Sequence, residues 1–388
     1  MLIEYSQKIS SFEVIVSHND NAHNEDSGVV NSSSQTNINS ADILFNHMVS
    51  KDNGKLSATF AENPYTFNFK HNSEQKFSAV VVDGATSSLI NGCDPSKLDE
   101  NGNPTKIPEH LLEATNVSLF SRKLSTEVAK QMSENPTKAP IEIYKMSITN
   151  IGSNAPYKNA NVPLLDIKPS ATISMIKENG AKLEGMIIGD QTVLIGYKDG
   201  TYDMLIADKA IKRLEEKRKD VIKTQHPEYD SLPKDKQKIV RSKVMKEWMR
   251  TKLGKEYYVP YSCGSESFEK FVDEKTKTVD ENKNRKIEKF GEDVVTFSAD
   301  KYEVDSVVMS SDGFVERALK YKLSTPEKIL KANDEEIKNL KEQILKLEDE
   351  KGISHDDMTL VKIDVKSNIV PKKINILGAR LISQRKTR

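Results

Sequence analysis

Two short apolar runs in this chain stop on an aspartate-glycine pair: Ala79 to Val82 leads directly into Asp83-Gly84, and Val307 to Met309 reaches Asp312-Gly313 across Ser310 and Ser311. A buried strand that ends this way fixes a carboxylate at the edge of a sheet, and the glycine behind it lets the backbone turn with its carbonyl exposed. Such carboxylates suit a hard cation. A third pair, Asp199-Gly200, separates the β-rich segments Thr192 to Tyr197 and Thr201 to Ile206, so it reads as a hairpin turn that needs positive φ. The first two pairs differ from it in their company. Further acidic residues with strand-like neighbours stand at Asn24-Glu25-Asp26, at Gly189-Asp190 after Met186-Ile187-Ile188, and at Asp356-Asp357 before Met358-Thr359-Leu360-Val361.

The chain has 388 residues, enough to bury a large core and, by length alone, to form two or three domains. A hydrophobic share of 36 % against a charged share of 30 % implies that part of it is solvent-facing helix. With 58 basic and 58 acidic residues, no global charge draws it to nucleic acid or to an acidic membrane. Only Cys93 and Cys263 are present, without partners at ligand spacing, which argues against a zinc site or a disulfide framework and for a reduced compartment. Met1 to Val14 lacks the pattern of a signal peptide, and no apolar run approaches the roughly 20 residues that span a bilayer. The expectation is a soluble, cytoplasmic protein without a transmembrane segment.

Along the chain, Phe12 to Val16 and Gly28 to Val30 read as a hairpin whose loop carries carboxylates, followed by a strand at Tyr65 to Phe69. Leu112, Val117, Phe120, Leu124, Val128 and Met132 recur at helical spacing within Leu111 to Met132, and a shorter helix is expected at Ile141 to Thr149. Thr172 to Lys177, Gly185 to Ile188, Thr192 to Tyr197 and Tyr202 to Ile206 then read as successive strands of an antiparallel meander. From Lys209 to Leu253 dense charge with sparse apolar positions predicts two helices broken near His226 to Pro233. Together with Glu266 to Glu292 this resembles an insertion more than part of the sheet; a solvated helical hairpin and a substrate-facing flap or partner surface are the two readings of it. Strands resume at Asp293 to Phe297 and Ser306 to Met309. Thr325-Pro326-Glu327 has the form of a helix start, and Ile337, Leu340, Ile344 and Leu347 continue an apolar stripe. After a final strand, Met358 to Val365, the stretch Lys366 to Arg388 holds seven basic residues and no acidic one. It is a solvated tail or a weak contact for an anionic membrane or partner.

No phosphate-cradling glycine loop, HExxH or GxSxG pattern occurs. If Asp26, Asp83, Asp190, Asp312 and Asp356 converge at one end of a sheet, each pair of like charges about 4 Å apart repels by roughly 4 kcal/mol at an effective dielectric near 20. Such a group needs a cation, and oxygen-only ligands argue for Mg²⁺ or Mn²⁺ over zinc. Two ions sharing a carboxylate would lower the pKa of a bridging water, which fits hydrolysis of a phosphate ester. Each element alone is weak, since an aspartate after a strand is commonly a turn or cap residue.

Their joint order resembles the protein phosphatase 2C family, the metal-dependent serine/threonine protein phosphatases. The resemblance runs through Asn24-Glu25-Asp26-Ser27, Val82-Asp83-Gly84-Ala85-Thr86, Ser170-Ala171-Thr172, Ile188-Gly189-Asp190, Ser310-Ser311-Asp312-Gly313-Phe314-Val315-Glu316 and His355-Asp356-Asp357-Met358-Thr359. It covers essentially Phe12 to Val365 and is nearest to the bacterial type that carries DGAT where other members carry DGHGG. The resemblance implies an α+β fold, a four-layer α-β-β-α sandwich of two antiparallel sheets flanked by helices, with metals at one end. It implies a catalytic domain over 1–365, a charged helical insertion at about 207–292 where the family's variable flap lies, and a basic tail over 366–388. Asp83 would bridge two ions, Gly84 would offer its carbonyl to one of them, and Asp312 and Asp356 would complete the second ion's shell. Glu25 and Asp26 would act through metal-bound waters, and Asp190 and Glu316 match the positions of a third, weaker ion. The implied activity is hydrolysis of phosphoserine and phosphothreonine in proteins, opposing a kinase in the same compartment.

Two departures stand out. The arginine that many members place five residues before the first aspartate is Asn21, and the histidine that serves as a candidate general acid is Ala85. Lys51, Lys70 and His23 are candidate replacements that no spacing argument separates. Two alternatives to the protein phosphatase stay open: a pseudophosphatase that binds a partner through its insertion, and a phosphatase of a small phosphate ester. A phosphate clamp contributes positioning, and a missing acid costs roughly 10²- to 10⁴-fold. Turnover of a small aryl phosphate is therefore expected to fall below that of arginine-containing relatives measured side by side, and equal turnover would contradict this.

Overall fold

The computed structural model describes residues 4–19, 27–32, 43–45, 50–52, 55–57, 65–71, 77–84, 93–100, 103–112, 115–154, 156–157, 169–249, 268, 277–282, 285–291, 293–353 and 358–373. Its strands in chain order are β1 (Glu4–Asn19), β2 (Ser27–Ser32), β3 (Ile43–Phe45), β4 (Ser50–Asp52), β5 (Lys55–Ser57), β6 (Tyr65–His71), β7 (Phe77–Gly84), β8 (Cys93–Leu98), β9 (Pro104–Lys106), β10 (Ala171–Asn179), β11 (Lys182–Tyr197), β12 (Tyr202–Ala207), β13 (Lys277–Glu281), β14 (Arg285–Phe290), β15 (Val294–Asp300), β16 (Val304–Ser310) and β17 (Met358–Lys373). The helices are α1 (Glu109–Leu112), α2 (Val117–Glu134), α3 (Pro140–Ser153), α4 (Lys209–Gln225), α5 (Lys234–Met249), α6 (Val315–Lys320), α7 (Pro326–Lys331) and α8 (Asp334–Glu350). This is an α+β fold built on antiparallel pairing. Among the described residues no helix is long and apolar enough to cross a membrane.

The pairings form two runs of strands. One reads β3-β2-β7-β10-β11-β15-β14-β13, the other β6-β1-β17-β16-β11-β12, and β11 belongs to both. Its residues 182–188 pair with β10 and β15, whereas residues 192–197 pair with β12 and β16, with a shift of register between Gly189 and Thr192.

Side chains alternate across a strand, and the cores follow that period. In β7, Phe77, Ala79 and Val81 join a cluster that also holds Val193 and Ile195 of β11, Val307 and Met309 of β16, and Val361 and Ile363 of β17. Val80 and Val82 face the other way, with Phe120, Leu124 and Val128 of α2 and Ile143, Tyr144 and Ile148 of α3. A third cluster joins Leu194, Val308 and Leu360 to Phe314, Ile329, Ile337, Leu340 and Ile344 on the C-terminal helices. The helices begin where local chemistry allows. Asn116 accepts a hydrogen bond from Leu119 N at 2.8 Å, Pro140 opens α3, and Thr325 accepts from Lys328 N ahead of Pro326. Asn333 and Glu336 form a reciprocal cap on α8.

Several expectations change. β1 and β2 do not form a hairpin, because β1 pairs with β17 and β6 while β2 pairs with β7 and β3. Gly185 to Ile188 and Thr192 to Tyr197 belong to one strand that switches partners. Leu112 is exposed and sits on the separate α1, since Asn116 caps a new helix after it. Residues 277–290 are a hairpin joined to β15, not a segment apart from the sheet. Residues 366–373 continue β17 against Glu4 to Ser11, and 374–388 lie outside the described residues. The turn at Gly200 (φ 86°) and the two helices α4 and α5 are as expected.

Gly185 shows how closely β11 is packed. A Cβ there would collide with the Phe297 ring and sit 2.5 Å from the Met175 carbonyl oxygen. Gly185→Ala is therefore expected to lower stability by about 1–3 kcal/mol in denaturant titration. Adding Phe297→Leu should recover only part of the loss, because the carbonyl belongs to the backbone.

Candidate functional site

The strand ends carry the acidic residues. β7 finishes at Asp83 and Gly84, paired with Thr172 and Ala171 at the start of β10. β2 starts at Ser27, opposite Val82. Next to β10, β11 reaches Ile188 opposite Ile173, passes through Gly189 (φ 90°), Asp190 and Gln191, and resumes with Thr192 opposite Ser310. Asp312 follows the end of β16 by two residues, and β17 begins at Met358, opposite Asn19. Asp83 on β7, Asp190 on β11 and Asp312 after β16 thus stand at one edge shared by both runs, with β10 between β7 and β11. Antiparallel register alone brings them there.

A buried polar lattice holds this edge. Gln191, fully buried, donates from Nε2 to the Thr172 carbonyl at 3.1 Å and accepts from Ser174 Oγ at 2.5 Å. Gly189 N donates to the Asp293 carbonyl at 3.3 Å. On the other side, Ser311 N donates to the Thr359 carbonyl at 3.1 Å, and Thr359 N donates to Ser311 Oγ at 3.0 Å. Ser310 Oγ donates to the Ser311 carbonyl at 2.6 Å and accepts from Val315 N at 3.2 Å. These bonds tie Asp190 to β10, and the turn at Asp312 to β17 and α6. Glu316 is on α6, in the first turn after that Ser310 anchor.

The charges are uneven. The Asp190 pKa is pushed from 3.8 up to about 6, first by enclosure and then by the negative charges of Glu316 and Asp208, against the lowering effect of its backbone and of Thr172. The Thr172 hydroxyl lies near enough to favour the ionised carboxyl, yet among the described residues it makes no hydrogen bond of good geometry, and the buried Thr192 hydroxyl makes none there either. Lys212 on α4 pairs with Asp208 and stands 4.0 Å from Glu316. Its pKa is raised, first by the Asp208 hydrogen bond and then by the charges of Asp208, Glu316 and Asp190.

Of the residues expected at the site, Asp190 and Glu316 are brought together, while Asp83, Gly84 and Asp312 stand on the same edge. Among the described residues no three histidine, cysteine or acidic side chains converge as a group able to hold a metal ion. Glu25, Asp26, Asp356, Asn21, His23 and Ala85 lie outside the described residues. Lys51 is in β4 and Lys70 in β6. Sequence reasoning missed Gln191, Asp208 and Lys212. The one signal for Gln191 was a polar residue between Asp190 and an apolar strand; Asp208 looks like an ordinary helix cap, and Lys212 is one lysine among many. The oxygen-only donors at this edge, with an aspartate held against its own ionisation, fit a hard divalent cation.

No protein-family description and no curated protein matches the chain. Among solved structures, the serine/threonine phosphatase Stp1 from Staphylococcus aureus is 10 % identical with a TM-score of 0.38, covering 94 % of this chain and 96 % of that one. The S. agalactiae serine/threonine phosphatase is 12 % identical with a TM-score of 0.39, covering 93 % and 100 %. The catalytic domain of the serine threonine protein phosphatase PstP, in complex with two manganese ions, is 10 % identical with a TM-score of 0.39, covering 92 % and 99 %. Likenesses at this level decide neither the fold nor the activity of this chain.

A carboxyl whose pKa is raised on folding lowers stability as pH rises from its unfolded value through its folded one. In metal-free protein Asp190 should therefore cost stability between about pH 4 and 6, by at most about 3 kcal/mol. Asp190→Asn should remove that loss: the variant is expected to be more stable than the native chain at pH 7.5 and to lose the advantage at pH 4 in urea titrations.

Proposed function

We propose that this chain is a Mg²⁺- or Mn²⁺-dependent phosphatase of the 2C type, acting on phosphoserine and phosphothreonine in proteins. The observation that carries the reading is the shared edge at which Asp83 of β7, Asp190 of β11 and Asp312 after β16 stand, with β10 between the first two strands, in the order of the motifs that resemble that family. The three apolar clusters, one flanked by strands alone and two flanked by strands and helices, support a four-layer α-β-β-α sandwich.

In this reading Asp83, the Gly84 carbonyl, Asp312 and Asp356 would hold the ions, with Glu25 and Asp26 contributing through water. Asp190 and Glu316 would stand at the position of a third, weaker ion. The ions, when bound, supply a water acidic enough to attack a phosphate ester near neutral pH. The chain's own part is to hold the carboxylates rigid. The Gln191–Thr172–Ser174 and Ser311–Thr359 bonds do this without occupying the carboxylates themselves. The catalytic unit spans 1–365, with residues from about 207 as its variable insertion and 366–388 as a basic segment; the setting is cytoplasmic, opposite a serine/threonine kinase.

The test is hydrolysis of p-nitrophenyl phosphate and a phosphothreonine peptide with Mn²⁺, Mg²⁺ or EDTA. Metal-dependent turnover that falls at least about 10²-fold in Asp83→Asn and in Asp312→Asn is expected. Asn21 and Ala85 favour a second reading, a partner-binding pseudophosphatase. A folded chain that binds Mn²⁺ but hydrolyses neither substrate would replace the enzyme with that reading.

A further inference from the structure

Lys212 lies outside every motif considered above, yet it is the cation seated at the acidic edge. Asp208 occupies the position before α4 where an aspartate ordinarily accepts from the helix's first N–H groups, but its side chain makes no such cap. The carboxylate turns to Lys212 one helical turn on, and among the described residues Lys212 is its only ion-pair partner. Asp208 is 7 % exposed, and the ammonium that neutralises it is itself half-exposed. The same ammonium stands 4.0 Å from Glu316 on α6, and its charge reaches Asp190 at the corner of β11. Three carboxylates from β11, the β12–α4 junction and α6 thus share one lysine. As they stand around the lysine, they form no group able to hold a metal ion.

We infer that Lys212 is a built-in counter-cation at the Asp190–Asp208–Glu316 edge, a positioning residue that stands in for the third, weaker metal ion and fastens the charged helical segment to the active site. The inference rests on the metal-edge reading above. A half-exposed ammonium tethered through α4 neutralises the edge without being drawn from solution. The start of the charged segment thereby approaches α6 through one side chain, the ammonium that stands 4.0 Å from Glu316.

The experiment counts Mn²⁺ bound per chain by equilibrium dialysis, for the native full-length protein, Lys212→Met and Lys212→Arg, with melting temperatures recorded without metal at low salt. Lys212→Met should bind one more Mn²⁺ per chain than the native protein and should melt lower without metal, with the loss restored by Mn²⁺. Lys212→Arg should match the native protein on both counts. The same number of ions or fewer in Lys212→Met, or a gain in Lys212→Arg as well, would overturn the inference. A native chain that binds no Mn²⁺ while Lys212→Met binds one would overturn the proposed function and leave the role of Lys212 standing; no Mn²⁺ in either would overturn both.

Discussion

Strand β11 is hydrogen-bonded into both runs of strands, and the whole acidic edge depends on the way it changes partners between Ile188 and Thr192. An extended strand cannot pass from one set of partners to another without breaking its ladder, so the chain turns at Gly189, at φ 90° and opposite Ala207, and the two residues after it leave the regular pairing. The backbone groups freed at such a corner have to be satisfied. Gly189 N does so through the Asp293 carbonyl, and the Gln191 side chain binds β10. Asp190 is the residue left between them.

The buried charges divide by location. At the opposite end of β10, Lys177 donates to the carbonyls of Pro136 and Lys138 and pairs with Glu184 at 3.7 Å, while Glu178 accepts from Lys301 and from Phe77 N. Those groups are matched, as buried charge must be where it only holds structure. At the Asp190 edge acids outnumber bases among the described residues, and Lys212 is shared by Asp208 and Glu316. Uncompensated negative charge at strand ends is costly to stability and therefore belongs to a site more than to a scaffold.

Short apolar runs made β7 and β16 legible in the sequence, β-rich runs made β10, β15 and the start of β17 so, and the 3.6-residue stripe from Val117 to Met132 made α2 legible, because burial imprints itself on residues close in the chain. The turn at Asp199-Gly200 and the caps at Thr325 and Pro326 were legible for the same reason: each depends on neighbours a few residues away. Pairing is a different matter. The separation of β1 from β2 follows from β17 and β7, hundreds and tens of residues distant, and the attachment of residues 277–290 to β15 overrides a composition dominated by charge.

The sequence by itself determined which residues could do chemistry: the ordered aspartates, the absence of histidine or cysteine at ligand spacing, and Asn21 and Ala85 where the family it resembles carries arginine and histidine. Only the tertiary structure decided which of them meet. Asp83, Asp190 and Asp312 lie in separate motifs, and it is antiparallel register, together with one strand common to two runs, that puts them on a single edge. Gln191, Asp208 and Lys212 carry no local signature. What they do depends on where helices and strands distant in sequence place a carbonyl or a carboxylate beside them, and no spacing along the chain encodes that.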